Sequence, residues 1–104
     1  MNRIAFKMQL YHGCSEEYKR RHSEIWPELS RLLKRCGIRD YAIYLDEDSH
    51  VLFASFKILN EKELEILPSL DIMKKWWEHM ADIMVTNEDN SPVIKPLTEM
   101  FFQP

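Results

Sequence analysis

The segment over residues 51–59 constrains the fold most, because it reads as a strand with apolar side chains on both faces. Successive side chains of an extended chain point to opposite sides of a sheet. The odd-numbered apolar residues therefore share one side and the even-numbered ones the other: Val51, Phe53 and Leu59 against Leu52, Ala54, Phe56 and Ile58. A strand with this pattern is expected to be covered on both faces. A chain of 104 residues has little material for two covers, so a partner is expected to help.

The rest of the chain supplies three further strands and two helical segments. Alternating apolar residues predict a first strand over residues 3–11 and a second over 40–46, which pairs with residues 51–59 as a hairpin. A helix is predicted from Ser15, a good N-cap, to Gly37, which is placed to end it. Pro27 lies inside that helix and removes a backbone donor, so the helix should bend or restart there.

The second helical segment is predicted to begin after Asn60, to break at Pro68 and to continue to residue 85. Residues 86–96 are polar and contain proline, which predicts a loop, and residues 97–103 are expected to form the last strand. That loop is our candidate for closing a cleft or for contacting a partner chain.

Strand, helix, strand, strand, helix, strand is the order of a ferredoxin-like βαββαβ domain of the α+β class, with an antiparallel sheet. We predict one such domain over residues 1–104. Helices on one face leave the other face bare, and a second copy of the chain is the simplest cover. The sequence therefore predicts a homodimer in which two sheets pack face to face, a dimeric α+β barrel.

Composition limits the possible partners. The formal net charge of −3 gives no basic face for phosphates, so nucleic acid is not expected as a partner. The residues contain no secretory pattern and no apolar run of membrane-spanning length, which predicts a cytoplasmic protein without a membrane partner. Cys14 and Cys36 lack metal-ligand spacing, and no phosphate-binding loop is present, so neither a metal nor a nucleotide is expected.

Tyr18 and His22 are the first candidates for chemistry. They are four residues apart, which places both side chains on one face of the predicted helix. That face continues into an apolar stripe, so the imidazole of His22 is expected to point inward, where it is shielded from water and suited to acid–base chemistry. The alternative interpretation is a structural histidine with a satisfied ring.

The adjacent pair Trp76 and Trp77 is the second candidate. Neighbouring helix positions point about 100° apart, so one indole is expected in the core and the other at an edge. Indole faces also pack well on the C–H face of a pyranose, and Tyr18 and Tyr41 can add hydroxyl groups. A sugar site and simple core packing both fit this pattern.

Four segments together resemble the L-rhamnose mutarotase family, and the resemblance covers essentially the whole chain. They are Glu-Tyr-Lys-Arg-Arg-His with Ile-Trp-Pro-Glu-Leu (17–29), Tyr-Ala-Ile-Tyr-Leu-Asp (41–46), Trp-Trp with Met80 and Asp82 (76–82), and Asn-Glu-Asp-Asn-Ser-Pro (87–92). The resemblance implies a homodimeric, cofactor-free enzyme that interconverts the α and β anomers of L-rhamnose. It also implies that His22 is the proton donor, and that the sugar is lined by four aromatic residues: Tyr18, Tyr41, Trp76 and Trp77.

Two other functions are compatible with such a barrel, since a fold alone does not select a function. One is a small monooxygenase that acts on a bound aromatic or haem-like ligand, and the other is a non-catalytic dimer module. Within the sugar hypothesis, the base at the anomeric hydroxyl stays open between a tyrosine, a water and a backbone carbonyl.

Overall fold

A four-stranded antiparallel sheet forms one layer of the computed structural model, which describes residues 1–104. Its strands are β1 (Asn2–Gln9), β2 (Ile38–Asp46), β3 (Val51–Ile58) and β4 (Lys95–Pro96). Their spatial order is β2-β3-β1-β4, and every neighbouring pair is antiparallel. This order and the element sequence confirm the predicted ferredoxin-like α+β fold.

The strand register places one apolar set of side chains against the helices. Met8 pairs with Leu52, and both Phe6 and Ile43 pair with Ala54 from opposite sides. Paired residues share a face of the sheet, so this inner face is continuous across β1, β2 and β3. Its central residues belong to a buried core together with side chains of the helices.

Two helices follow β1, separated by a break. Helix α1 spans Ser15–Ser23 and helix α2 spans Pro27–Arg35. Trp26 has an extended backbone, with ψ at 128°, and Pro27 occupies the first turn of α2. Proline suits that position because its missing N–H would have no intrahelical partner there. The predicted restart at Pro27 is confirmed, and Ile25 lies in the break between the two helices.

The second helical segment consists of α3 (Glu63–Ile66), a 3-10 turn (Leu67–Ser69) and α4 (Asp71–Met80). The prediction that it continues to residue 85 is wrong. The N–H of Val85 donates to the carbonyl of Gln9 at 2.9 Å, and Met84 forms a bridge with Leu10. The backbone groups that a longer helix would have used are thus hydrogen-bonded to the end of β1. No helix here is long and apolar enough to cross a membrane.

The predicted last strand over residues 97–103 is also wrong. Pairing with β1 is confined to Lys95 and Pro96, and it closes with the N–H of Leu97 donating to the carbonyl of Ala5 at 2.9 Å. Beyond this point the chain has no strand partner. Met100 is 90% exposed and Phe101 is 78% exposed, so the apolar pattern of this segment reflects something other than a buried strand of its own chain.

The outer face of the sheet is not covered within one chain. On β3, Leu52, Ala54 and Ile58 are buried, whereas Phe53 is 39% exposed and its partner Tyr44 is 69% exposed. The expectation that residues 51–59 are covered on both faces is therefore met on the inner face only.

Candidate active site

An open cavity of about 1020 Å³ lies between the inner face of the sheet and the helices α2 and α4. Its lining is mostly apolar, with residues from β1, β2, β3, α2 and α4 and from the loop after α4. Large apolar cavities with a few polar groups are the usual form of small-molecule sites. Four of the five predicted site residues line it: His22, Tyr41, Trp76 and Trp77.

His22 is half-buried near the end of α1, and its ring is held on two sides. The phenol of Tyr18 stacks on it, with ring centroids 4.3 Å apart and an interplanar angle of 28°. The indole of Trp76 meets it at 5.4 Å and 87°. Burial lowers the pKa of His22, and the bond from its ring to the Tyr18 carbonyl opposes this only in part.

The hydrogen bond of His22 determines which of its nitrogens is free. Nδ1 lies 3.0 Å from the carbonyl oxygen of Tyr18, one helical turn earlier. A carbonyl only accepts hydrogen bonds, so Nδ1 carries a hydrogen in both protonation states. Nε2 is therefore the nitrogen that gains or loses a proton. This arrangement makes His22 a one-nitrogen acid–base group beside the cavity.

Tyr18 lies behind His22 and is not one of the residues lining the cavity. It is the one buried residue of α1, with 8% of its surface exposed. Burial, reinforced by the nearby hydroxyl of Tyr41, raises the pKa of Tyr18 far above that of an ordinary phenol. The phenol ring of Tyr18 stacks on the face of the His22 imidazole and so restricts the orientation of that ring.

A bulge in β2 directs Tyr41 into the cavity. The register with β3 shifts between Arg39 and Ala42, and Asp40 has a positive φ of 52°. Bulges reorient the side chains that follow them. Here the bulge lets Ile38 and Tyr41 both face the helices, and the ring of Tyr41 lies 5.1 Å from that of Phe56.

The two phenols are neutral at physiological pH. Loss of hydration raises the pKa of Tyr41, although 42% of its surface is exposed, and the pKa of Tyr18 rises further. A neutral phenol donates and accepts hydrogen bonds but is a poor general base. The structure therefore favours both tyrosines as hydrogen-bonding groups over a role as phenolate.

The two tryptophans differ in burial, as adjacent helix positions should. Trp76 is 6% exposed and belongs to the core, while Trp77 is half-buried at the cavity wall. Trp26, which sequence reasoning overlooked as a site neighbour, meets Trp76 edge-on at 5.1 Å and 86°. Trp26 lies at the break between α1 and α2. The Ile-Trp-Pro run, which predicts that break, was the only feature of the sequence that pointed to its position.

Three polar residues of the loop over 86–96 also line the cavity and were not predicted as site residues: Asn87, Asp89 and Ser91. The loop is internally bonded, since the N–H of Asn87 donates to the carbonyl of Ser91 at 2.7 Å and Ser91 N–H donates to the Asp89 carboxylate at 3.0 Å. The bonds from Ser91 lower the pKa of Asp89. The short polar residues of this segment were visible in the sequence, but their side chains reach the cavity only through the fold.

The remaining histidines lie apart from this cluster or at its rim. His12 and His50 have ring centroids 4.5 Å apart and are not among the cavity residues. The ring of His79 packs against those of Trp26 and Trp76, with centroids 5.4 and 5.5 Å apart. No three side chains of the histidine, cysteine, aspartate or glutamate type converge in a geometry suited to a metal.

The comparisons with known proteins agree in one family. The family model described as L-rhamnose mutarotase matches residues 3–103. An L-rhamnose mutarotase of Brucella anthropi is 52% identical over 102 residues, covering 98% of this chain and 96% of the relative. One from a Jannaschia species is 48% identical over the full length of both chains. The crystal structure of an L-rhamnose mutarotase from Formosa agariphila superposes with a TM-score of 0.93 at 46% identity, covering both chains completely.

Proposed function

Since the chain belongs to the L-rhamnose mutarotase family, we propose that it interconverts the α and β anomers of L-rhamnose by opening and closing the pyranose ring. The observation that carries this proposal is the imidazole of His22 at the wall of an aromatic cavity, with Nδ1 committed to a carbonyl and Nε2 left for the substrate. The enzyme would be a sugar-anomer isomerase in which His22 is the proton donor.

Ring opening needs two proton movements. Nε2–H of protonated His22 donates to the ring oxygen while the anomeric hydroxyl loses its hydrogen. The bond between C1 and the ring oxygen breaks, its electrons stay on that oxygen, and C1 becomes an aldehyde. After rotation about the C1–C2 bond, the hydroxyl oxygen attacks the other face of C1 and its proton returns to Nε2. The aldehyde oxygen regains the proton that the anomeric hydroxyl had lost. Every step is a proton transfer or a bond within the sugar, so the proposal includes no cofactor.

The lowered pKa of His22 suits a group that must both give and recover a proton. Near pH 7 a minor fraction of the enzyme carries the imidazolium, but that imidazolium is a stronger acid than an unperturbed one. General acid–base groups of this kind typically contribute ~10²–10⁴-fold to a rate. The raised pKa values of Tyr18 and Tyr41 make phenolates scarce, and a backbone carbonyl accepts a hydrogen bond but does not hold a proton near neutral pH. We therefore favour a water, which can relay the anomeric proton to solvent.

The aromatic lining supports a 6-deoxy sugar as substrate. We propose that Trp77 and Trp76 pack against the C–H groups of the ring and that Tyr41 bonds a hydroxyl. Tyr18 would act from behind, through the imidazole face on which it stacks. An apolar wall favours the C6 methyl of rhamnose over a hydroxymethyl, but only modestly, so we expect slower exchange on related hexoses.

We further propose that two domains of residues 1–104 associate through the outer faces of their sheets as a dimeric α+β barrel. Tyr44 and Phe53 form an exposed aromatic pair there, and the apolar residues Met100 and Phe101 extend from the edge strand without contacts that bury them. Several large apolar groups exposed on one small domain indicate an interaction surface. A two-fold dimer is the commonest closed assembly that covers one such face.

Saturation-transfer NMR on L-rhamnose tests the enzymatic proposal, because it measures the exchange between the two anomers directly. His22→Asn should reduce the exchange rate by at least ~10²-fold, the lower end for a general acid. His12→Asn, at an exposed histidine outside the cavity, is the matched control and should exchange like the unmodified protein. Unchanged exchange in a folded His22→Asn protein would remove His22 as the donor.

A further inference from the structure

Arg21, the neighbour of His22, joins helix α1 to the end of helix α4. Its Nη1 donates to the carbonyl of His79 at 2.6 Å and to Oδ1 of Asp82 at 2.8 Å, and its Nη2 lies 3.2 Å from Oδ2. On the side of its own helix, Nε donates to Glu17 at 2.7 Å. The Arg21 side chain is only 11% exposed, whereas that of Asp82 is 67% exposed, so Arg21 reaches from the packed side of α1 to a carboxylate at the surface.

The bond to His79 serves a specific need of helix α4. The last carbonyls of a helix have no intrahelical partner, and α4 ends at Met80. Arg21 places a positive group on the His79 carbonyl, where the helix dipole favours it. The bidentate pair with Asp82 fixes the plane of the guanidinium at the same time. Arg21 therefore bonds α1 directly to the C-terminal end of α4.

Few other contacts of α1 can align it with α4. The helix has nine residues, and Tyr18 is the only one that it buries. The neighbouring Arg20 pairs only with Glu17 and Glu24 of the same run, and it is 56% exposed. Yet the working geometry lies between the two helices, because His22 stands on α1 and the indole edge against it, Trp76, stands on α4.

We propose that Arg21 is a positioning residue, which through Asp82 and the His79 carbonyl holds the imidazole of His22 in register with Trp76 and the cavity. The predicted effect of Arg21 on catalysis rests on the proposed function. Its predicted effect on the position of the His22 ring does not. Displacements of about 1 Å from productive geometry can lower a rate ~10²-fold. An ion pair with one partner exposed contributes little to the free energy of unfolding, which agrees with a geometric role for it.

Three variants test this positioning role. Arg21→Ala removes all interhelical bonds, Asp82→Ala removes the bidentate pair but leaves the His79 bond, and Arg20→Ala removes only local pairs and is the matched control. The measurements are kcat and KM for anomer exchange, the pKa of His22 from its Cε1 NMR titration, and the melting temperature.

We expect Arg21→Ala to lower kcat ~10- to 100-fold with KM changed less than threefold. The pKa of His22 should rise toward its ordinary value as the ring gains access to water. Asp82→Ala should change kcat and the pKa of His22 in the same directions, but by less. It therefore tests the positioning role if Arg21→Ala does not fold. Arg20→Ala should alter neither. A lower melting temperature with kcat and the His22 pKa both unchanged would overturn the proposal.

The two proposals fail in different ways. If His22→Asn exchanges the anomers at the full rate, the donor role fails, and the titration of His22 in Arg21→Ala still reports whether the ring was held. If His22→Asn is inactive while Arg21→Ala and Asp82→Ala are fully active with an unmoved His22 pKa, the donor role stands and the positioning role fails.

Discussion

The imidazole of His22 meets the indole of Trp76 edge-on, with ring centroids 5.4 Å apart and an interplanar angle of 87°. Trp76 is in turn met edge-on by Trp26, so the ring of His22 rests on a rigid aromatic support. With Tyr18 stacked on its face, the imidazole has limited hydration and a restricted orientation. Both the direction of its pKa shift and the availability of Nε2 follow from this packing.

The pH dependence of catalysis should reveal the protonation state in which His22 works. If the imidazolium donates to the ring oxygen, kcat/KM falls as pH rises through the pKa of His22. That pKa is lowered by burial, so the midpoint should lie below the ordinary value of about 6.5. Anomer exchange measured between pH 5 and 8 checks this. A rate that rises with pH over the same interval would assign His22 as the base at the anomeric hydroxyl.

The same group should make folding stability depend on pH. The pKa of His22 is lower in the folded protein than in the unfolded chain, so between the two values the unfolded chain binds more protons. Its contribution is therefore complete above about pH 6.5 and is lost as pH falls toward the folded pKa. Urea denaturation at pH 7.5, 6.5 and 5.5 should show this slope, and His22→Asn should flatten it. An equal slope in His22→Asn, with His12→Asn as the control, would contradict it.

Substitutions of the two adjacent tryptophans should separate core packing from sugar binding. Trp76→Ala opens a cavity in the core and should reduce the free energy of unfolding by about 3–5 kcal/mol. Trp77 is half-buried at the cavity wall, so Trp77→Ala should reduce it less and raise KM more. Thermal denaturation and a titration of the exchange rate with rhamnose measure both. The opposite ranking would assign Trp77 to the core alone.

The exposed aromatic pair on the outer sheet face should control association. Phe53→Asp places a charge on that face at a position that is not buried within the chain, so each copy should still fold while the dimer dissociates. Light scattering coupled to size exclusion should show the mass of two chains for the unmodified protein and of one for the variant. Glu65→Lys, on exposed α3, is the control and should stay dimeric. A monomeric unmodified protein would exclude this interface.

The sequence predicted the parts of this fold that depend on local patterns. The inward strand residues, the restart at Pro27 and the order of elements follow from side-chain alternation and from the missing proline N–H, both of which are properties of a few consecutive residues. The meeting of Tyr18, His22 and the tryptophans was predicted through resemblance. Spacing alone placed Tyr18 and His22 on one face without indicating that Trp76 would lie against them.

The parts that escaped prediction depend on contacts between distant residues. Helix α4 stops at Met80 because β1 takes the backbone groups of Met84 and Val85. The bulge before Ala42 arises from pairing with β3, and it determines that Tyr41 faces the cavity. Likewise, the interhelical contacts of Arg21 span about sixty residues. A polar arginine beside a histidine carries no local signal of that role.

The break at Pro27 leaves His22 on a helix of nine residues. A helix of this length is marginal in water and persists only through its attachments to the rest of the molecule. The imidazole of His22 therefore lies on a helix that depends on tertiary contacts for its stability. Under the proposed function, local opening of α1 would displace the imidazole while the sheet and the other helices keep their contacts, so activity would be lost without global unfolding.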